Sequence, residues 1–380
     1  MTNGIGATGF GARALRYIKH NMVAVIALIA ALVSMCFVPP DAKYASYFDI
    51  KTLCCLFGTL AVVCALKDIH FFSIVAARII RFTGSSRWAA LTLIYITFIG
   101  SMLIANDMAL ITFLPLGYYV FSAAERKWEV ATVFILQNIA ANLGGMLTPF
   151  GNPQNLFLYS HYSIPTGEFM SVMLPPFLVA IFLVSLCCLF IPRHSLKVSV
   201  KEGMNSLPRA RTGIYLTLFA ITILMVFRVI PPLIALGTVI IALVFLDRKA
   251  LAQVDYALLF TFVCFFVFAG NMGRLEPVRE FFRGLLEKNT LLTSVVSCQV
   301  ISNVPSAVLL SNFPDNYASL LTGVTIGGAG TLIASLASLI TFREFTTRYR
   351  DSAGGYILRF SLFNFGFLAI LTYFCISIGR

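Results

Sequence analysis

Asparagine, glycine and proline interrupt membrane-grade hydrophobic sequence twice in this chain, in the same order each time. The first copy runs Ile104-Ala105-Asn106-Asp107-Met108-Ala109, followed by Gly144-Gly145-Met146-Leu147-Thr148-Pro149-Phe150-Gly151-Asn152-Pro153-Gln154-Asn155. The second runs Ile301-Ser302-Asn303-Val304-Pro305-Ser306, followed by Gly327-Gly328-Ala329-Gly330-Thr331-Leu332-Ile333-Ala334-Ser335-Leu336-Ala337-Ser338. Lipid offers no partner to a freed backbone group. A break at bilayer depth therefore survives only where protein shields it or a cavity lies beside it.

The surrounding sequence leaves little choice of environment. Of 380 residues, 59% are hydrophobic and 12% charged, against roughly 25% charge in a soluble domain. The net charge of +12 could suggest a nucleic-acid partner. The basic residues instead cluster in short loops between apolar stretches, as the positive-inside rule expects, and no nucleic-acid partner is expected. The nine cysteines show neither zinc-ligand nor disulfide-framework spacing. Arg13, Arg16 and Lys19 precede an apolar stretch without a small-residue cleavage site, which reads as an uncleaved first membrane helix.

A crossing helix needs about 20 mostly apolar residues. Stretches of that character fall at 22–38, 47–66, 130–159, 169–191, 212–229, 233–246, 254–272, 318–342 and 355–378. The stretches 88–123 and 290–312 are each broken near the middle, which predicts two re-entrant hairpins. Most of the 28 Lys and Arg, including Arg193, Lys197, Lys201, Arg209 and Arg211, fall inside if the N-terminus is cytoplasmic and the C-terminus external. Arg274, Arg279, Arg283 and Lys288 fall outside, interleaved with Glu276, Glu280 and Glu287, as on a helix lying along the membrane. The two hairpins then enter from opposite sides, so the copies form inverted repeats. Their spacing drifts in one direction, from Asp49/Asp255 (255 − 49 = 206) through Asn106/Asn303 (303 − 106 = 197) to Gly144/Gly327 (327 − 144 = 183). Duplication followed by loop shortening leaves such a drift.

Asp107 is the one acidic residue in the interior of an apolar stretch. A charge there costs at least ~3 kcal/mol, so it should face a cavity or a cation. It can ligate Na⁺ with backbone carbonyls, carry a proton, or cap a half-helix, and these roles are compatible. Asn106 and Asn303 tolerate left-handed backbone and offer both donor and acceptor. Gly144, Gly145, Pro149, Gly151 and Pro153 cannot all sit in a regular helix. Asn152, Gln154 and Asn155 add amides, and an unwound segment aims half-helix dipoles at a ligand. In the second copy Thr331, Ser335 and Ser338 stand where Thr148, Asn152 and Asn155 stand in the first. Gly327, Gly328 and Gly330 also suit close helix packing. No deeply placed Lys or Arg is ready to pair with an anion. Substrate contacts are therefore expected from Asn106, Thr148, Gly151, Asn152, Asn155, Ser302, Asn303, Thr331, Ser335 and Ser338. Ion coupling is expected from Asp107, Asn106, Gly144, Asn303 and Gly327, with a Na⁺ position at Asn106, Asp107 and Gly144.

These residues resemble those of the ion transporter superfamily, which includes divalent anion/sodium symporters, citrate transporters, arsenite permeases and a class of sodium/proton antiporters. Asn106 and Ser302-Asn303 match the hairpin tips. Thr148-Pro149 and Gly151-Asn152-Pro153-Gln154-Asn155 match the broken helix. The likeness spans 47–378. The Asn106-Asp107 tip departs from the symporters' Ser-Asn-Thr and looks more like the permease and antiporter branch. The resemblance implies an all-α polytopic membrane protein with two re-entrant hairpins, two broken helices, a scaffold and a mobile transport domain. It further implies a homodimer with elevator-like alternating access.

The resulting expectation is a segment 1–46 with a first membrane helix and a repeat at 47–191 with hairpin 88–123 and broken helix 130–159. A basic loop with connecting helices follows at 192–253, and a second repeat at 254–378 with hairpin 290–312 and broken helix 318–342. The expected function is not enzymatic. It is secondary transport of small anions, above all organic carboxylates, coupled to Na⁺ or H⁺ without a further cofactor. The setting is a lipid bilayer, that of the bacterial inner membrane. The alternatives are arsenite or antimonite efflux and Na⁺/H⁺ exchange. An intramembrane aspartyl enzyme needs a second deep Asp, a zinc type needs His-Glu-x-x-His, and an ATP-driven pump needs a P-loop; the sequence has none of these.

Overall fold

A computed structural model describes residues 21–122, 127–194, 207–313 and 316–380. The basic flank at Arg13, Arg16 and Lys19, and Lys197 and Lys201 of the central loop, lie outside the described residues. Within them the fold is helical, with no strand. The helices are α1 (Met22–Phe37), α2 (Ile50–Asp68), α3 (Phe71–Ile80), α4 (Ser86–Ile104), α5 (Asn106–Ser122), α6 (Lys127–Gly144), α7 (Pro153–His161), α8 (Thr166–Leu189), α9 (Arg209–Val226) and α10 (Pro232–Leu246). They continue as α11 (Arg248–Ala252), α12 (Tyr256–Arg274), α13 (Glu276–Ile301), α14 (Asn303–Leu310), α15 (Tyr317–Ile326), α16 (Leu336–Arg348) and α17 (Ala353–Ser377).

Seven described helical segments have the length and composition of a membrane crossing: α2, α4, α6 with its following turn, α8, α9, α12 and α17 with its preceding turn. The chain is thus an integral membrane protein. Two expected spans are shorter than a full crossing, α1 at 16 residues and α10 at 15. The 318–342 stretch divides into α15 and α16. Helix α4, expected as one arm of a hairpin, has 19 residues, or about 28 Å at 1.5 Å per residue. Length alone therefore permits it to cross.

Polar side chains start several of these helices. Asp49 accepts from Thr52 N–H at 3.0 Å to cap α2, and Asp255 accepts from Leu258 N–H at 2.9 Å to cap α12. Inside α13, Asn289 leaves helical geometry at φ −164°, ψ 99°. Its side chain accepts from Leu292 N–H at 2.8 Å. This separates a charged first part, where Arg279 pairs with Glu276, from the apolar arm at 290–301. At the end of α12, the Arg274 guanidinium bonds both oxygens of Asp41, at 3.0 and 2.8 Å. That bond holds the Asp41 carboxyl below the usual carboxylate range.

Each expected hairpin is two helices folded back on a one-residue break. Ala105 joins α4 to α5 at φ 66°, ψ 151°, and Ser302 joins α13 to α14 at φ 74°, ψ 160°. Both are left-handed positions that non-glycine residues rarely hold. The arms run antiparallel. Gly100 on α4 lies against the Phe113 ring on α5, and the Ser297 and Ser306 hydroxyls meet at 2.8 Å across the second break. Helix α6 packs on α4 and α5, and α15 packs on the second arm of α13 and on α14. Around this group, α1 packs along α12, while α9, α10 and α11 pack on α2.

Candidate functional site

The same hydrogen bonds recur at both breaks. Asn106 N–H donates to Gly151 C=O at 3.1 Å, and Asn303 N–H donates to Ala334 C=O at 2.9 Å. The hydroxyl of Thr148 donates to Met102 C=O at 2.7 Å, and that of Thr331 donates to Gln299 C=O at 3.2 Å. Each tip Asn accepts on Oδ1 from the next residue's N–H, Asp107 at 3.0 Å and Val304 at 2.9 Å. Tip residues keep one offset (303 − 106 = 197; 299 − 102 = 197), and break residues another (331 − 148 = 183; 334 − 151 = 183). Each tip is thus docked onto the unwound segment of its own copy.

The unwound segments differ in how they are satisfied. In the first, a short 3-10 turn at Gly145–Leu147 gives way to extended backbone, and α7 restarts after Asn152 with Pro153 at its first position. Asn152 Nδ2 donates to Asn142 C=O at 3.0 Å. Asn155 Nδ2 reaches Gly145 C=O at 3.3 Å and Met146 C=O at 3.4 Å. Asn152 Oδ1 and Gln154 Oε1 are buried without a hydrogen-bond partner, so this segment has polar capacity unused. In the second, Ser335 Oγ accepts from Ser338 N–H at 3.2 Å and caps α16. Gln299 fills the gap left by Gly330, donating to Gly327 C=O at 2.8 Å and accepting from Thr331 N–H at 2.9 Å. Ser302 Oγ donates to Ala334 C=O at 3.1 Å.

The two copies meet in a buried ladder of amides and hydroxyls. Asn106 Nδ2 donates to Asn142 Oδ1 at 3.1 Å, and Asn142 Nδ2 donates to Asn138 C=O at 3.1 Å. Asn138 reaches Ser338 Oγ at 3.3 Å and Asn364 Oδ1 at 3.4 Å. Thr325 Oγ1 donates to Asn155 Oδ1 at 2.7 Å. A Cβ on Gly328 would stand 3.0 Å from Asn303 Nδ2 and 3.6 Å from Asn142 Oδ1. Asn106, Asn152, Asn155, Asn303 and Ser338 are therefore brought to one place. Gly151 and Thr148 hold the first tip, and Ser302, Thr331 and Ser335 hold the second.

Other expected residues take different positions. Gly144 lets α6 approach α4, since a Cβ there would strike Phe98 C=O and Ser101 Oγ. A Cβ on Gly327 would stand 2.9 Å from Cys298. Asp107 turns away from the ladder. It lines a cavity with Leu56, Thr59, Leu60, Met108 and Asp255, and its Oδ1 is buried without a hydrogen-bond partner. Among the described residues no three His, Cys, Asp or Glu side chains gather as a metal centre. His194 lies 3.4 Å from Glu129, and the His161 ring packs on Phe157 and Tyr162. Arg228 stacks on the Tyr159 ring and donates to Tyr159 C=O and Ile164 C=O, at the end of α7.

Sequence reasoning missed Asn138, Asn142, Gln299, Thr325 and Asn364. One signal was available. Asn138 and Asn142 are four apart in an apolar helix and so share a face.

Facing helix breaks with convergent polar groups, set in an apolar helical bundle, define a membrane transport protein rather than an enzyme. The chain belongs to the citrate transporter family, whose model matches residues 14–337. It is 31% identical over 294 residues to the uncharacterized transporter MJ0456 of Methanocaldococcus jannaschii, covering 77% of this chain and 80% of that protein. It is 27% identical over 318 residues to the inner membrane protein YbiR of Escherichia coli, covering 81% and 83%. The YdaH transporter of Alcanivorax borkumensis, described as having an unusual topology, superposes with a TM-score of 0.51 at 15% identity. The match covers 94% of this chain and 97% of that one, a likeness of fold alone.

Proposed function

We propose that this protein is a proton-coupled secondary transporter of small anions, organic carboxylates in particular, with the anion at the amide ladder and the proton at Asp107. The observation that carries this reading is the separation of chemistries at one tip. Asn106 faces the buried ladder, while its neighbour Asp107 faces an apolar cavity. No Lys or Arg takes part in the hydrogen bonds of the ladder. Anion binding rests on amide N–H groups, hydroxyls and the N-terminal ends of α5, α7, α14 and α16, where helix dipoles favour negative charge. A carboxylate in an apolar setting is costly until it is neutralised. Besides Asp107 the cavity offers only the Thr59 hydroxyl and, at its exposed end, the Asp255 carboxylate, few oxygens for a metal cation. A proton suits it better than Na⁺.

In this reading the hairpins are re-entrant and inverted, entering from opposite sides, with the N-terminus cytoplasmic and the C-terminus external in a bacterial inner membrane. Helices α1, α2 and α9 to α12 form a scaffold. The hairpins and broken helices move against it as a transport domain, elevator-fashion, in a homodimer. The repeats span 47–191 and 254–378, joined by 192–253. Neutralisation of Asp107 lets the loaded domain cross, and an empty site stays charged and does not.

The test is uptake by purified protein in proteoliposomes. Radiolabelled citrate and smaller dicarboxylates are supplied under an imposed pH gradient or an imposed Na⁺ gradient. Accumulation driven by the pH gradient is expected. Accumulation driven by Na⁺ alone would move the coupling ion. Arsenite or antimonite flux, or Na⁺/H⁺ exchange, with no carboxylate uptake would overturn the reading.

A further inference from the structure

The internal duplication leaves two carboxylates without a counterpart in function, and both face one cavity. Asp49 and Asp255 hold matching positions as N-caps of α2 and α12. Asp49 has both oxygens engaged. Oδ1 accepts from Thr52 N–H at 3.0 Å and from Ser160 Oγ at 3.5 Å, and Oδ2 accepts from Thr52 Oγ1 at 2.6 Å. Asp255 uses only Oδ1, for Leu258 N–H at 2.9 Å, and is solvent-exposed. Its Oδ2 has no hydrogen-bond or ion-pair partner among the described residues. At the tips, the counterpart of Asp107 is Val304, so the second copy has no acid there.

Asp107 and Asp255 come from different helix groups, α5 in the first hairpin and the start of α12. The rest of the cavity lining, from α2, α4, α5, α7, α12, α16, Ala105 and Phe150, is apolar apart from Thr59 on α2. None of these side chains is titratable. Charged and titratable groups on the elements around the Asp255 end are Tyr256 on α12, which donates to Leu251 C=O at 2.9 Å, Cys64, Lys67 and Asp68 on α2, and Arg248 and Lys249 on α11. Asp68 accepts from Gln253 Nε2 at 3.0 Å, Cys64 donates to Gln253 C=O at 3.5 Å, and Arg248 donates to Val244 C=O at 2.8 Å. No ion pair takes Asp255 out of use.

We infer that Asp255 is the outer member of a two-carboxylate proton relay, receiving the coupling proton at the mouth of this cavity and passing it to Asp107. The step balances as one proton moved. A hydronium ion at the mouth gives its proton to Asp255. The O–H bond at Asp255 then breaks, the proton crosses the cavity by way of water admitted at its mouth, an O–H bond forms at Asp107, and Asp255 is again a carboxylate. The deep carboxylate so exchanges protons with one aqueous face without opening the amide ladder, and substrate and proton enter by separate routes. The inference rests on the reading of Asp107 above.

The test uses Asp255→Asn, because Asn caps a helix about as well as Asp, with Asp255→Ser as a second cap-competent variant and Asp49→Asn as control. In proteoliposomes, citrate accumulation under a pH gradient is measured across a pH range of about 5 to 8, alongside citrate/citrate exchange without a gradient. Asp255→Asn and Asp255→Ser should slow accumulation about tenfold and flatten its pH dependence while exchange continues. Asp255→Glu should restore both rate and pH profile, and Asp49→Asn should change neither. Wild-type accumulation and pH profile in Asp255→Asn would overturn the relay. So would loss of exchange together with accumulation in both cap-competent variants, which would make the residue structural. If wild-type protein shows no pH-driven accumulation at all, the failure belongs to the proton assignment at Asp107 rather than to Asp255.

Discussion

Asn106 and Asn142 share one hydrogen bond, Nδ2 to Oδ1 at 3.1 Å, and both side chains are buried. That contact ties the first hairpin tip to the unbroken part of α6. Asn142 C=O also accepts from Asn152 on the broken segment. Replacing Asn142 by Ala keeps that carbonyl but leaves Asn106 Nδ2 without its partner, at about 1–3 kcal/mol for a buried polar group so orphaned. Asn142→Ala is expected to melt at lower temperature in detergent and to lose the stabilisation that carboxylate ligands give the wild type. An unchanged ligand-induced shift would remove Asn142 from the site.

The bond from Thr325 to Asn155 spans the two copies. A double-mutant cycle with Thr325→Val and Asn155→Ala should show a coupling of about 1 kcal/mol in thermal or chemical unfolding, within the range for groups in direct contact. Additive effects would mean the copies are not joined at this point.

The described glycines differ in what a side chain would meet. Gly144 has backbone in the way of any Cβ, the Phe98 carbonyl of α4, whereas Gly167 and Gly213 have open space. Gly144→Ala is expected to destabilise by about 1–3 kcal/mol, since a carbonyl cannot swing aside as a side chain can. Gly167→Ala and Gly213→Ala should fall within about 0.5 kcal/mol of wild type. Melting temperatures of the three variants check this directly.

The Asp41–Arg274 pair gives a signed pH dependence. The guanidinium lowers the folded-state pKa of Asp41. Its contribution is therefore complete above the unfolded pKa of about 4 and is lost as pH falls through the folded value. The pair is exposed, so the effect is small. Melting curves of wild type and Asp41→Asn should differ slightly at neutral pH and converge on acidification. A gap that widens toward acid would contradict the sign.

The breaks were legible because Asn, Gly and Pro are out of place in apolar helices. The spacing that pairs Asn106 with Asn303 and Thr148 with Thr331 also links matching hydrogen bonds in the structure. The ladder was less legible. Asn142 and Thr325 lie within regular helices, where an amide or hydroxyl disturbs no backbone and leaves only its burial to mark it. The opposed directions of Asn106 and Asp107 could not be read either. The left-handed turn at Ala105 and the docking of Asn106 N–H on Gly151 decide them, and both depend on contacts 45 residues apart (151 − 106 = 45). The stretches read at 22–38 and 233–246 fall within one residue of α1 and α10, because Asn21, Pro39, Pro231 and Asp247 mark their ends in the sequence.

The most direct measurement is pH-driven citrate accumulation by Asp107→Asn in proteoliposomes, set beside citrate exchange without a gradient. Asn fills nearly the same volume and cannot carry the proton. Accumulation beyond the equilibrium distribution should be lost, with a melting temperature close to wild type and exchange still measurable. Accumulation at the wild-type rate would contradict the assignment of the coupling proton to Asp107.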